Sequence, residues 1–543
     1  MFKLNEYRDL LAKEGLLTGE NLMDAAERPV SSIAYDSRAV KEGTLFLCKG
    51  ARFSPEYLVS AMKGGAIGYV SEREYELGEL TGDGVRLGGD SGSGSVVETC
   101  GESGSGSVVE TCGESGSGSV VETCGESRRE LPFLLVNDIR RAIAVIADYC
   151  YESIWKELGL IGVTGTKGKS TTVYYMKSIF DEWMRAENKK PSAVLSGIDN
   201  FDGVIDEESH LTTPETLELY EHFNNAVRSG IEYMSMEVSS QALKYDRTYG
   251  IIFNVVCFLN IDEDHISDIE HTNFEDYFSS KLKIFEQCTA ACVNIHSAEL
   301  GRILEAGKKS DRCITFGTSE EADIYGYDIC PSENGISFRV RGEGRDEAYA
   351  ISMTGLFNVE NALAAISMAY CMGVPVEHIK AGLKKAKVSG RMEVFKGRDG
   401  KTIIVDYAHN RLSFETLFKS VIEEYPGRKI SIVFGCPGKK ALGRRRELGI
   451  VAGNYADMVF ITEEDAGEES VMEISEQIAR YVADCGREYL IIPDREEAIR
   501  RAVESAEAGS VILITGKGRE TRQKRGVKYI DTPSDVEYVE KLL

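Results

Sequence analysis

The sequence predicts an α/β protein of three domains with mostly parallel sheets, and three observations carry that prediction. At 543 residues the chain is too long for one hydrophobic core. Short apolar, β-rich runs recur with helical patterns between them: "GIEYMSMEVSS" and "IIFNVVCFLNI", then "KTIIVDYAH", "KISIVFGC", "DMVFIT", "EYLIIP" and "SVILITGKG". Strands alternating with helices make parallel sheets covered by helical layers. Third, "LGLIGVTGTKGKSTTVYYMKSIFDEW" passes from an apolar strand through a glycine-rich turn into a helical pattern. The joins fall near residues 155 and 387, giving domains 1–155, 156–387 and 388–543. "GLFNVENALAAISMAYCMGV" is expected to be an amphipathic helix closing the middle domain.

The first domain opens with "MFKLNEYRDLLAKEG", which lacks the apolar core of a signal peptide, and no apolar run approaches the length of a membrane span. Residues 89–127 repeat a twelve-residue unit three times, "SGSGSVVETCGE". Three repeats are about the minimum for a stacked β array. Gly and Ser dominate the unit, so a surface insertion between two pairing strands is the expected role. Deleting it is expected to leave activity within a few-fold. Lys plus Arg total 63 against 88 Asp plus Glu, a net charge of −25. That excess excludes nucleic acid and anionic membranes as general partners, and an anionic ligand needs a local positive pocket. The 13 cysteines are scattered, and "CTAAC" (Cys288, Cys292) has no companion to make it a zinc site. Reduced thiols in a cytoplasmic protein are expected.

"GVTGTKGKST" (162–171) sits where a glycine-rich turn offers backbone N–H groups and a helix N-terminus to phosphate oxygens. Lys169 would reach the β- and γ-phosphates and the Ser170 hydroxyl would meet Mg²⁺. Five residues separate Gly162 from Gly168 where the standard pattern has four.

"TGTKGKST" resembles the ATP loop of the Mur ligases, the ATP-dependent amino-acid-adding enzymes of peptidoglycan synthesis. "YDSRAVKEGTLF", "LTTPETL", "MEVSSQAL", "FLNIDEDHISDIEHTNFEDYFSSK", "GLFNVENALAA", "GRMEV", "DYAHN" and "GKGRE" follow in the family's order. The set spans most of the chain, leaving out about the first thirty residues and the repeat. It is similar to the MurE type, and "EVSSQA" with "DHI…IEH…FEDYF" resembles the lysine-adding branch.

The resemblance implies a nucleotide-sugar domain first, a P-loop-type ATPase domain second and a Rossmann-like amino-acid domain third. It implies ATP and Mg²⁺ as cofactors, and UDP-MurNAc-L-Ala-D-Glu and a free amino acid as partners of a monomer. Gly165, Thr166, Lys167, Gly168, Lys169, Ser170 and Thr171 would cradle the phosphates. Glu237, His265 and Lys281 would join Ser170 around the metal, with Lys281 carbamylated; Lys283 is the neighbouring candidate. By itself Glu237 reads as a solvated strand-end acid and His265 as a surface or helix-cap residue. Asn358 and Asn361, three apart on one helix face, would meet adenine, although Asn358 also suits a helix cap. Arg391 and Asp406 would reach the nucleotide from the third domain, whose closure would exclude water from an acyl phosphate. Ser37 would contact the UDP part, and Thr212, Thr213, Ser239 and Arg247 the muramyl dipeptide. His409 would be substrate-facing or a strand-end histidine with no role, and Arg445 and Gly516 are further substrate-binding positions. "DSR…GTLF" and "DYAHN" argue against a folylpolyglutamate synthase, and the intact Lys169, Glu237, His265 and Lys281 argue against an inactive nucleotide-binding paralogue.

"MVFITEEDAGEES" (458–470) holds the place of the family's amino-acid selector. Diaminopimelate enzymes carry Asp-Asn-Pro-Arg there, whose Arg pairs with the extra carboxylate of the substrate. This loop has neither Arg nor Pro, so a second substrate carboxylate would go unpaired. Glu464, Asp465 or Glu468 would instead hold an ammonium group, which favours L-lysine. Glu520 matches a residue that contacts the side-chain end of the amino acid. Arg519 is unusual beside it and leaves diaminopimelate open as the alternative substrate. The acids also suit the start of the helix in "SVMEISEQIARYV".

Overall fold

The computed structural model describes residues 2–50, 53–75, 131–263, 266, 270–332, 335–439 and 442–543. The repeat at 89–127 and His265 lie outside the described residues. The chain divides into two compact units, Met1–Ile146 and Ala147–Leu543.

The first unit is built on a five-stranded sheet of β1 (Leu17–Asn21), β2 (Ser32–Ala34), β3 (Thr44–Leu47), β4 (Ala66–Ser71) and β5 (Phe133–Val136), ordered β1-β5-β4-β3-β2. β4 and β5, the strands on either side of the repeat, are parallel neighbours with Tyr69 opposite Phe133. The expectation that they pair is met.

The second unit contains two large sheets. The first has eleven strands: β6 (Gly159–Thr164), β7 (Ala193–Leu195), β8 (Asp199–Phe201), β9 (Asp206–Glu208), β10 (Tyr233–Glu237), β11 (Phe253–Phe258), β12 (Cys288–Asn294), β13 (Arg312–Gly317), β14 (Ile324–Ser332), β15 (Gly335–Gly342) and β16 (Arg345–Ile351). From β7 to β14 the pairing is parallel, with antiparallel strands at both edges. β6 lies between β10 and β11, so the loop after β6 emerges where successive connections leave to opposite sides. Ligands of open α/β sheets bind at that point, beyond the carboxyl ends of the strands. Helices α1 (Lys169–Ala186), α2 (Phe274–Leu282) and α3 (Phe357–Cys371) surround it.

α3 differs from its expected amphipathic character. Twelve of its fifteen residues are buried, from Asn358 to Tyr370. Its small residues (Ala362, Ala364, Ala365, Ala369) let it pack on all sides, so it is an internal helix of the central core.

The other large sheet comprises β17 (Glu393–Lys396), β18 (Thr402–Asp406), β19 (Ile430–Phe434), β20 (Met458–Ile461), β21 (Glu488–Ile491) and β22 (Val511–Thr515), ordered β17-β18-β22-β19-β20-β21. Only the β17–β18 pair is antiparallel. Every residue of β18, β19 and β22 is buried, as strands covered on both faces require. Their side chains alternate between two cores: Ile404 and Leu513 face Phe414 and Ile478, whereas Val405 and Ile512 face Ile499 and Val539. The first face carries helices α4 (Arg411–Glu424) and α5 (Val471–Asp484). Each of the five late β-rich runs is therefore a strand. Among the described residues no helix is long and apolar enough to cross a membrane.

Candidate active site

The loop after β6 is shaped by two glycines. Gly165 has φ +150° and Gly168 φ +85°, the left-handed side that L-residues avoid. A Cβ on Gly165 would lie 2.9 Å from Leu259 Cβ, and one on Gly168 would lie 2.3 Å from Asn361 Oδ1. The turn ends at the N-terminus of α1, where Lys169, Ser170 and Thr171 begin the helix. Lys169 Nζ donates to the carbonyls of Gly165 (3.1 Å) and Thr166 (3.3 Å). Asn260, just past β11, fixes the turn from the neighbouring strand. Its carbonyl accepts Thr166 N–H (3.0 Å), its Oδ1 accepts Lys167 N–H (2.8 Å), and its Nδ2 donates to Lys167 O (3.1 Å). Asn260 lies within "FLNIDEDH", and the sequence alone assigns it no part. The available signal was its place at the end of the strand beside β6.

A cavity of about 540 Å³ opens over this loop. Thr166 to Thr171 form its floor, Glu237 and Thr212 one side, Asn358 and Asn361 another, and Arg391, Asp406 and His409 the side contributed by the last sheet. The predicted nucleotide residues thus converge on one space, except that Gly165 lies just behind it. Glu237 ends β10, is 2 % exposed, and its Oε1 accepts Gly197 N–H at 2.9 Å. Lys281 projects from the last turn of α2 and is also buried. Its Nζ donates to Gly165 O at 3.0 Å and lies 4.7 Å from the Tyr277 ring centroid. Lys283 instead donates to Leu243 O, away from the loop. Thr213, Ser239 and Arg247 form a supporting network behind Glu237. Thr213 Oγ1 donates to Glu237 O (2.9 Å) and accepts Ser239 N–H (3.0 Å), while Arg247 donates to Thr213 O (2.9 Å) and pairs with Glu215 (2.6 Å). Ser37 belongs to the first unit, where it starts a short 3₁₀ turn after Asp36.

On the far side, Asn361 Nδ2 donates to Asn358 Oδ1 (3.0 Å), and Asn358 Nδ2 donates to Thr354 O (2.6 Å). Asp406 accepts the N–H groups of Met392 (2.9 Å) and Ala408 (2.8 Å); burial raises its carboxyl above the ordinary range even though Arg391 pulls the other way. His409 Nδ1 lies 2.8 Å from the Tyr407 carbonyl and donates to it, which leaves Nε2 as the acceptor. Burial, with Lys167 and Arg444 nearby, holds this imidazole neutral, well below its usual range. The Arg391 guanidinium stands 4.6 Å over the Tyr407 ring.

The acidic loop after β20 is neutralised carboxylate by carboxylate. Glu463 pairs with Arg525, Asp465 with Lys517 (3.1 Å), Glu468 with Lys439 (2.8 Å), and Glu469 with both ends of the Arg445 fork (2.7 Å). Arg445 holds Glu469 at about 2. Lys517 also binds Glu520 (2.6 Å), which accepts the Tyr407 hydroxyl (2.5 Å). Among the described residues Glu464 makes no ion pair. It is 8 % exposed, and burial pushes its carboxyl up to about 7 against the pull of Arg495, Lys517 and Arg444. Gly516, at φ +109°, makes room for it, because a Cβ there would lie 2.5 Å from Glu464 Oε2. Arg519 is held by Glu393 through two bonds, 2.6 and 2.7 Å. After the acids, Ser470 caps α5 by accepting Glu473 N–H, so the helix-start reading holds as well.

Residues 163–369 match the Mur ligase middle domain and residues 390–518 the Mur ligase glutamate ligase domain. A UDP-N-acetylmuramoyl-L-alanyl-D-glutamate–L-lysine ligase of Streptococcus pneumoniae serotype 4 is 32% identical over the full length of both chains. The chain belongs to the Mur ligase family. It is an ATP-dependent ligase. The lysine ligase of Enterococcus faecalis is also 32% identical, covering 97% of this Mur ligase and 95% of its own chain. Among solved structures, a UDP-N-acetylmuramoyl-L-alanyl-D-glutamate–2,6-diaminopimelate ligase superposes with a TM-score of 0.63 at 22% identity, covering 100% of this chain and 98% of its own. The MurF ligase of Thermotoga maritima in complex with ADP gives 0.55 at 17%, covering 94% and 97%. These two likenesses establish the three-domain α/β fold.

Proposed function

We propose that this Mur ligase joins L-lysine to UDP-MurNAc-L-Ala-D-Glu in peptidoglycan synthesis. Domain 1–155 takes the UDP-sugar through Ser37, 156–387 takes ATP, and 388–543 takes the amino acid. The γ-phosphoryl group of ATP passes to the substrate carboxylate, giving an acyl phosphate and ADP. The amine then attacks the acyl carbon, an amide forms, and inorganic phosphate leaves as the amine loses its proton. Lys169 and the backbone N–H groups of 165–171 orient and neutralise the phosphates. Asn358 and Asn361 meet the base, Arg391 and Asp406 the nucleotide from the other side, and His409 offers its neutral Nε2 to the substrate. Thr212 meets the muramyl dipeptide directly, while Thr213, Ser239 and Arg247 support that wall.

Mg²⁺ fits this cavity in part. Among the described residues no three acidic, histidine or cysteine side chains form a metal cluster. Glu237 and Ser170 nevertheless bring a buried carboxylate and a hydroxyl to the phosphate site. When bound, the metal would neutralise charge between the phosphates and the carboxylate. Lys281 as a free amine is a donor to Gly165 O, so it would serve as a ligand only after carbamylation, with His265 the remaining candidate.

The choice of lysine is carried by one observation: among the described residues, Arg445, Lys517 and Arg525, which could have met a second substrate carboxylate, are taken up by the loop. Arg519 is bound to Glu393. Glu464 remains to face an ammonium group, beside Asp465 and Glu520. Comparing L-lysine, ornithine and meso-diaminopimelate in an assay of phosphate release that requires the muramyl dipeptide tests this. Lysine is expected to have the highest kcat/KM. A preference for diaminopimelate would overturn the selector, and no stimulation by any amino acid would overturn the ligase reading.

A further inference from the structure

The first N–H groups of any helix lack intrahelical acceptors. In α3 the N–H groups of Asn358 and Val359 turn to the local carbonyls of Gly355 and Leu356, whereas that of Leu356 is met from a different part of the fold. The helix begins at Phe357, after Gly355 (φ +90°) and Leu356, and no side chain of its own caps it. Ser420 Oγ, from the last turn of α4, accepts Leu356 N–H at 2.7 Å. Glu424 Oε1 accepts the same N–H at 3.1 Å and also accepts the Ser420 hydroxyl proton at 2.9 Å. Ser420 is buried at 4 % exposure. A carboxylate here also meets the positive end of the helix dipole.

The two ends of α4 therefore do different things. Its first turns, at Leu412, Ser413 and Thr416, line the cavity over the phosphate loop. Its last turn caps the helix that brings Asn358 and Asn361 to that cavity, and Asn361 in turn rests against Gly168. α4 packs on the core of the last sheet, whereas α3 belongs to the core of the central sheet.

We propose that Ser420 and Glu424 are positioning residues, supplying in trans the N-terminal cap of the helix that shapes the nucleotide site. Seating the last domain and ordering the nucleotide-binding face of α3 are then one event. Were that domain to separate, Leu356 N–H would lose its acceptors at the start of the helix that carries both asparagines. This inference rests on the nucleotide reading of the cavity and adds the residues that couple it to domain position.

The test uses the full-length protein with a non-hydrolysable ATP analogue, in wild type, S420A, E424A, E424Q and the S420A/E424A double variant. Wild type is expected to bind the analogue, and the double variant to bind it about tenfold more weakly, with KM for ATP raised alike and KM for the amino acid unchanged. Amide exchange at Leu356 and Phe357 is expected to quicken in the same variants. E424Q keeps an acceptor oxygen and is expected to stay within about threefold of wild type. Should the double variant fail to fold, S420A and E424A provide the same readouts, with E424Q as the near-wild-type control. Unchanged analogue affinity and unchanged exchange would overturn the cap while leaving the nucleotide site standing. Failure of wild type to bind the analogue would overturn the nucleotide reading itself.

Discussion

The phosphate loop and the acidic loop both follow the carboxyl ends of parallel strands, β6 and β20, and are built in opposite ways. The phosphate loop is held by backbone. Gly165 and Gly168 take conformations closed to other residues, and Asn260 pins both sides of Lys167. The acidic loop is held by charge, with four of its five carboxylates matched to cations that stand far away in the chain, at 439, 445, 517 and 525. A loop fixed by backbone keeps its shape while phosphates come and go. One fixed by ion pairs changes its charge and shape when side chains are exchanged.

The largest effect that would sharpen the comparison is loss of the phosphate charge partner. Lys169→Ala is expected to lower kcat/KM by roughly 10²–10³, the scale of removing one preorganised donor to developing charge. Gly168→Ala follows. It places Cβ against Asn361 and forces a left-handed alanine, at a cost of about 1–3 kcal/mol. ATP is expected to bind about tenfold more weakly in that variant, as read by calorimetry. Normal ATP affinity in both variants would break the claim that this loop is the rigid one.

How much of each loop was legible in the sequence follows from the same contrast. The phosphate loop could be read because its requirements are local: glycines for positive φ, a strand before and a helix after. All five late strands were legible for a similar reason, since uninterrupted apolar runs bounded by turns have few other homes. The fate of the acids was not legible. Nothing in "TEEDAGEES" says that Arg445, Lys517 and Arg525 would arrive to neutralise Glu469, Asp465 and Glu463, because those contacts depend on tertiary packing. The burial of α3 on all sides was not legible, because Asn358, Asn361 and Ser367 are polar and only the fold supplies their partners. In the fold they are buried and hydrogen-bonded to Thr354 O, Asn358 Oδ1 and Leu363 O. Asn260 was overlooked because an asparagine after a strand is usually only a turn residue.

Glu464 gives the next effect and a pH dependence. Its carboxyl is raised from 4.5 to about 7 by burial. The folded state therefore holds an extra proton between those values, and stability falls as pH rises through that window, levelling off above it. Glu464→Gln removes the penalty, so above pH 7 the variant is expected to gain on the order of 2–3 kcal/mol over wild type in denaturant melts. Lysine binding runs the other way. On the proposal that the ionised form holds the ammonium group, the wild-type KM for lysine is expected to fall from pH 6 to pH 8, while E464Q stays weak throughout. Identical pH profiles for lysine KM in both proteins would remove Glu464 from the selector.

The smallest effect decides what Arg519 is for. Its pair with Glu393 is half exposed, and surface pairs contribute about 0–1 kcal/mol. Arg519→Met is therefore expected to shift stability by less than about 1 kcal/mol and to leave the order of lysine over diaminopimelate unchanged. Both oxygens of Glu393 are taken by the Arg519 fork, and one of them also accepts Gly390 N–H at 2.5 Å, so the guanidinium is tethered to the turn before Arg391. Turning it toward a substrate carboxylate would strand Glu393. If wild type used diaminopimelate and R519M lost that activity alone, Arg519 would be a substrate ligand, and the acidic loop would no longer be the element that chooses the amino acid.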